Sequence, residues 1–141
     1  MADLLDLSAR IIDSGHADQP VNRTTNELSE IAPGLALVES FSHAAVWDVG
    51  EGLVTFDTSG VHTGAAVVES IRKWRHRSPF THLVYTHGHG DHVGGSGYFA
   101  ADADALGQQR PQVIGHENVD RRLDRYRDMS GWNLMINARQ F

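Results

Sequence analysis

The chain has no cysteine in 141 residues, so neither a disulfide nor a thiolate metal site can form, and any metal ligand must be nitrogen or oxygen. It also lacks an apolar run of about 18 residues, the minimum for a membrane helix. Met1-Ala2-Asp3 opens acidic, and the apolar residues after it are spaced by polar ones, which is not the pattern of a secretion signal. A soluble, cytoplasmic protein with no membrane partner is expected. Basic residues are scarce relative to acidic ones, 12 against 18, for a formal charge of −6. That balance disfavours nucleic acid as a partner, because a phosphate-binding surface needs a basic excess. At this length one domain with its own core is the default.

Histidine, by contrast, is abundant, with nine copies. His16, His62, His76 and His82 are isolated and read as surface or satisfied core residues. The exception is residues 86–95, Thr-His-Gly-His-Gly-Asp-His-Val-Gly-Gly. A purification tag would be a contiguous terminal run, which this internal, glycine-interrupted pattern is not. In an extended segment His87 and His89 project to the same side, so both imidazoles can reach one ion. Gly90 lets the backbone leave strand geometry, and Asp91 and His92 can then hold a second ion beside the first. Neutral imidazole and carboxylate suit zinc at about 2.0–2.2 Å, and they also suit iron or manganese. His43 and His116 stand at loop edges where a substrate could pass, and neither has ligand spacing.

Around this stretch the pattern predicts a short amphipathic helix over residues 3–13 ended by Gly15, then a polar arm to residue 30 containing Pro20 and Asn22. After the Pro33-Gly34 turn come three strands, over 35–39, 44–49 and 53–56, in a β-meander. Val67, Ile71 and Trp74 give a helix within 61–74, whose basic end (Arg72, Lys73, Arg75, Arg77) complements the helix dipole rather than forming an anion site. A strand over 81–85 follows, so the ligand loop lies at the carboxyl end of a strand-helix-strand unit, where α/β proteins place their sites. Gly94, Gly95 and Gly97 are expected to allow close approach before a short helix with Tyr98 and Phe99. Residues 100–110 read as loop, 113–114 as a strand, and Val119, Leu123 and Tyr126 as a last helix with a charged, solvated face. Asp57, where the third strand ends, suits a cap or turn.

The run H-G-H-G-D-H followed by Gly94 and Gly95 resembles the H-x-H-x-D-H signature of the metallo-β-lactamase-fold hydrolases. Residues 52–58, Gly-Leu-Val-Thr-Phe-Asp-Thr, are similar to that family's strand ending in an Asp-Thr-Gly turn, with Ser59 in place of the glycine and Gly60 following. His116-Glu117-Asn118-Val119, Arg125-Tyr126-Arg127 and residues 137–141 look like the alkylsulfatase-related branch. The resemblance implies an α/β fold, the N-terminal αβ half of a four-layer αβ/βα sandwich, with residues 1–30 as helix and arm and 31–141 as a partial domain. It implies two divalent metals, zinc first, held by His87, His89, Asp91 and His92. It also implies a bracing role for Asp57 behind those ligands, and attack by metal-activated water on an ester-like bond, with Asp91 orienting the attacking group. Sulfate esters are slightly favoured as the small-molecule substrate. The family's further ligands lie well beyond its motif, and after His92 this chain has only His116. The alternative is therefore a truncated, non-catalytic metal-binding fragment that assembles as a homo-oligomer or with a complementing chain.

Overall fold

The computed structural model describes residues 4–16 and 23–140; Pro20 and Asn22 of the expected arm, and Phe141, lie outside the described residues. Helix α1 (Leu4–Ser14) is followed by strands β1 (Leu28–Ala32), β2 (Leu35–Val38), β3 (Ala44–Asp48) and β4 (Leu53–Phe56). Helix α2 (Gly64–Trp74) leads to strand β5 (Phe80–Val84), and helices α3 (Gly90–Val93) and α4 (Ser96–Ala105) lead to strand β6 (Gln112–Ile114). Helices α5 (Asn118–Asp128) and α6 (Ser130–Gln140) close the described chain. The six strands form one mixed sheet in the order β1-β2-β3-β4-β5-β6. β1 to β4 pair antiparallel through short turns. β4, β5 and β6 are parallel, because α2 and then α3–α4 carry the chain back across the sheet between them. No helix among the described residues is long and apolar enough to cross a membrane.

The two faces of the sheet are unequal. Ala36, Val38, Ala44, Val46, Leu53 and Leu83 share a core with Val67 and Ile71 of α2 and Phe99 of α4, and Phe80 meets Phe99 edge-on at 4.8 Å. The period-two alternation puts Leu35, Leu37, Ala45, Val54, Phe56 and Val84 on the other face. All six remain partly exposed, and on the same face Trp47 is 50% and Ile114 46% exposed. One face is a finished core; the other is an apolar surface still open to solvent.

The expected elements are present, with four corrections. The arm does not run to residue 30: β1 occupies its end and pairs with β2. The segment from Arg23 is clamped by Glu39, a fully buried carboxylate that accepts from Arg23 Nε and Nη2 at 2.7 and 2.8 Å. Residues 100–105 belong to α4 rather than to a loop, because Phe99 and Ala103 give that helix a buried side against β5 and α2. Helix α6 was not foreseen; Trp132, Leu134 and Met135 on it are all more than half exposed. Gly97 has open space where a Cβ would go, so close approach explains Gly94 and Gly95 but not Gly97. Three of the four basic residues at the end of α2 are held in ion pairs, Arg72 with Asp102 at 2.6 Å, Arg75 with Asp48 at 2.6 Å and Lys73 with Glu69 at 2.7 Å.

The crossing of α2 and α4 is the tightest joint near the ligand loop. A Cβ on Gly95 would run into the Thr58 carbonyl oxygen and stand 3.0 Å from Gly64 Cα, both backbone. Gly95→Ala is therefore expected to cost about 1–3 kcal/mol through overpacking, measured by denaturant unfolding. An unchanged midpoint would contradict this joint.

Candidate metal centre

The site is assembled where β4 and β5 end. Asp57 follows β4 and its amide donates to the Val84 carbonyl at 2.9 Å, which holds the two strand ends level. The backbone there is left-handed at two non-glycine residues, Asp57 (φ 59°) and Ser59 (φ 59°). Such a conformation costs roughly 1–2 kcal/mol per residue and persists only where surrounding contacts over-determine it. Those contacts are visible. The Thr58 amide and hydroxyl both donate to the His92 carbonyl, at 2.7 and 3.1 Å. The Gly95 amide donates to the Ser59 carbonyl at 3.0 Å. Ser59 Oγ donates to Ser40 Oγ at 2.9 Å. The turn after β4 is thus stitched to the segment that carries His92.

Asp57 itself is buried, 5% exposed. Its Oδ1 accepts from the Thr86 amide at 2.8 Å, and its Oδ2 accepts from the Thr86 hydroxyl at 2.6 Å and from His92 Nδ1 at 2.7 Å. Thr86 Oγ1 also lies 2.9 Å from His87 Nδ1. The proton inventory fixes the tautomers. The hydroxyl proton of Thr86 is spent on Asp57, so His87 Nδ1–H must be the donor to Thr86. An ionised carboxylate only accepts, so His92 Nδ1 must carry its proton as well. In the neutral ring this leaves Nε2 bare on both, the form that binds a metal.

Of the four expected ligands, His87 and His92 gather with Asp57 into one group, while His89 and Asp91 stand at its edge, and the chain reaches this arrangement by a route other than strand alternation. β5 stops at Val84, and Thr86 and His87 lie in a bend, because Asp57 turns the backbone at Thr86. The imidazole rings of His87 and His89 still meet, with centroids 4.5 Å apart, and His87 and His92 are 4.1 Å apart. His92 Nε2 stands 3.7 Å from Asp91 Oδ2, too far for a hydrogen bond. Two ligands about 2.0–2.2 Å from a tetrahedral ion would stand roughly 3.4 Å apart, so the gap is of the size that a shared cation spans. Ligand-type atoms of Asp57, His87 and His92 also lie within 4.8 Å of one another. Asp57 is the poorer ligand of the three, since both its oxygens are already engaged by donors. The donor set of Asp57, His87 and His92 fits a divalent metal.

Two further residues were not singled out from the sequence. Thr86 links Asp57 to His87, and Ser42 donates to Asp91 Oδ2 at 2.6 Å. A threonine before the motif carries a weak signal by adjacency; Ser42 is 49 residues away and carries none. His43 is held locally, Nδ1 against the Ser40 carbonyl at 3.0 Å. His116 caps α5, its Nδ1 accepting from the Asn118 amide at 3.1 Å and its carbonyl from the Val119 amide. Neither joins the cluster.

Burial first, then the nearby charges of His87 and Arg122, hold the His89 imidazole below its usual range. At Asp91 burial works upward, but the hydrogen bonds from Ser42 and from its own amide, with the charges of His92 and His89, leave the carboxyl below the ordinary value. Both groups are therefore in their ligand forms near neutral pH.

The chain belongs to the metallo-beta-lactamase superfamily, whose family model matches residues 41–126, more than half of it. No curated protein matches it by sequence. Among solved structures it is similar to a double mutant of the sec-alkyl sulfatase PisA1, with 26% identity and a TM-score of 0.55 over 68% of this chain and 16% of that one. The stereoselective inverting sec-alkylsulfatase Pisa1 from Pseudomonas sp. gives 28% identity and a TM-score of 0.50 over 62% and 14%. A B3 metallo-beta-lactamase with an active-site glutamic acid gives 22% identity and a TM-score of 0.55 over 75% and 42%, a likeness of fold alone. The chain thus spans less than half the length of each of these structural relatives.

Two outcomes are expected. Asp57→Asn replaces an accepting oxygen with a donating amide facing His92 or Thr86, and it should weaken zinc binding by about 10- to 100-fold, read by competition with a chelator; equal affinity would contradict the bracing role. In the metal-free protein, a His89 held below the ~6.5 of free imidazole means that the unfolded chain takes up the proton first. Its contribution is present above that pH and is lost as pH falls through the folded value. The decline in Tm on acidification should be shallower in His89→Gln than in the wild type, and identical slopes would contradict the assignment.

Proposed function

We propose that this chain carries the metal-binding half of a hydrolase that cleaves an ester-like bond in a small molecule. His87 and His89 hold one divalent ion, and Asp91 and His92 hold a second. Zinc is the first choice by ligand type, with iron or manganese as alternatives. The observation that carries the reading is the pairing of His92 Nε2 with Asp91 Oδ2 across 3.7 Å, while the opposite nitrogen of the same ring is tied to Asp57.

When bound, such ions supply Lewis acidity and bring water near its deprotonated form at neutral pH. The residues of this chain do the rest by position. Asp57 and Thr86 fix the rings of His87 and His92, so that ligand geometry is set before substrate arrives. Ser42 fixes the carboxylate of Asp91, which faces the open side of the site with its side chain 40% exposed. Asp91 is thus placed to orient the attacking group, whereas imidazoles engaged as ligands are not free to act as bases. Sulfate esters are the favoured substrate class, supported by the likeness to the two sec-alkyl sulfatase structures at 26% and 28% identity.

A second reading is favoured by the open sheet face. Leu35, Leu37, Trp47, Phe56, Val84 and Ile114 share one sheet face with His82 and Gln112 at its edge, a largely apolar surface of the kind that marks an interface. On this reading the fragment holds its metal weakly and assembles, as a homo-oligomer or with a complementing chain. Light scattering on the purified chain tests the homo-oligomer, which a stable monomer over the micromolar range would exclude.

For the hydrolase reading, His87→Ala and Asp91→Ala should each reduce metal-dependent turnover of a secondary alkyl sulfate to background and lower the metal held per chain. Turnover retained in both variants would rule it out.

A further inference from the structure

Arg122 on α5 sits against the ligand loop. The α5 residue that is buried, Val119, packs its Cα 3.4 Å from where a Cβ of Gly88 would be. One turn on, Arg122 Cβ and Cγ stand 3.1 and 3.2 Å from the same point. Gly88 lies between His87 and His89, so the aliphatic stem of Arg122 crosses the backbone joining the first pair of candidate ligands. Any side chain at position 88 would displace it.

The guanidinium is held but not neutralised. Nε and Nη2 both donate to the Tyr126 hydroxyl, each at 3.2 Å, and the guanidinium carbon stands 5.1 Å from the Tyr126 ring centre. Tyr126, four residues on, thereby fixes the direction of the side chain. No carboxylate among the described residues pairs with Arg122, whereas Arg127 on the same helix pairs with Asp124 at 2.9 Å. An arginine presents five N–H groups in a planar fork, and here the phenol oxygen takes two. The remainder face solvent, because Arg122 is exposed. A directed guanidinium with no carboxylate partner among the described residues, whose aliphatic stem packs on the ligand loop, suits a tetrahedral oxyanion, which it can grip through two oxygens at once.

We propose that Arg122, oriented by Tyr126, is a specificity-determining residue that binds the anionic group of a sulfate or phosphate ester at the edge of the metal centre. This rests on the hydrolase reading, of which it specifies the substrate class: esters that keep a negative charge, rather than lactams, lactones or thioesters. The Gly88 contact is what keeps the stem of Arg122 against the ligand loop.

The test is calorimetric titration of inorganic sulfate, and separately of inorganic phosphate, into the zinc-loaded chain, with zinc per chain measured on the same samples. Arg122→Gln keeps the Cβ and Cγ that pack on Gly88 and removes the fork; Arg122→Lys keeps a charge without the fork; Arg121→Gln is the control. The expected result is saturable oxyanion binding by the wild type and by Arg121→Gln, at least tenfold weaker binding by Arg122→Gln, and an intermediate affinity for Arg122→Lys. The better-bound ion tells the two ester classes apart. Zinc held equally by all four proteins, with an oxyanion affinity indifferent to position 122 or no oxyanion binding at all, would overturn the proposal and leave the hydrolase reading standing. Failure of the wild type to hold zinc would remove the hydrolase reading and this proposal with it.

Discussion

One carboxylate ties the site together. Asp57 leaves β4 in a left-handed conformation, is buried, and accepts three hydrogen bonds from two residues of the segment after β5. Hydrogen bonds to a charged group contribute about 1.5–3 kcal/mol each, enough to offset a strained backbone and the burial of one charge. The same bonds settle which nitrogen of His87 and of His92 carries the proton. Bending the chain, bracing the rings and choosing the tautomers are therefore one interaction seen at three scales. If Asp57 were instead a ligand through Oδ2, its bonds to the Thr86 hydroxyl and His92 would have to break, and both rings would lose their anchor.

The sheet supplies the platform. Parallel pairing of β4, β5 and β6 brings three strand ends to one edge, and the turns that follow them carry Asp57, then the His-Gly-His-Gly-Asp-His segment, then His116 and the start of α5. Packing under that edge is rigid because α2 and α4 cross at Gly64 and Gly95. The opposite face of the sheet is apolar and open. A site at the rim of such a face can receive further groups from whatever packs there, which gives the open face and the ligand edge a common logic.

Much of this was legible in the sequence because it depends on local spacing. The ligand segment announces itself by the density of its side chains, and β2 to β4, α2 and β5 follow from apolar periodicity and turn residues. Strand alternation predicts the pairing of His87 with His89, whereas a bend anchored on Asp57 brings their rings together. What stayed hidden depends on distant partners. β1 looked like polar arm because Ser29 and Glu30 interrupt it, and its place is secured by pairing with β2 and by the Arg23–Glu39 clamp. Ser42 meets Asp91 across 49 residues, and no pattern encodes that. The basic faces of α2 and α5 look alike in sequence, yet Arg72 and Arg75 are neutralised by partners while Arg122 is not.

The central claim is that the loop after β5 is a prearranged metal centre, its imidazole tautomers set by Asp57. The most direct measurement is metal content per chain by elemental mass spectrometry, on protein purified without a histidine tag and then dialysed against a mild chelator. The account expects about two divalent ions per chain, in keeping with a paired site, to survive dialysis in the wild type and to be lost from Asp57→Asn. Less than one ion per chain in the wild type, removed by the chelator as readily as from the variant, would contradict it.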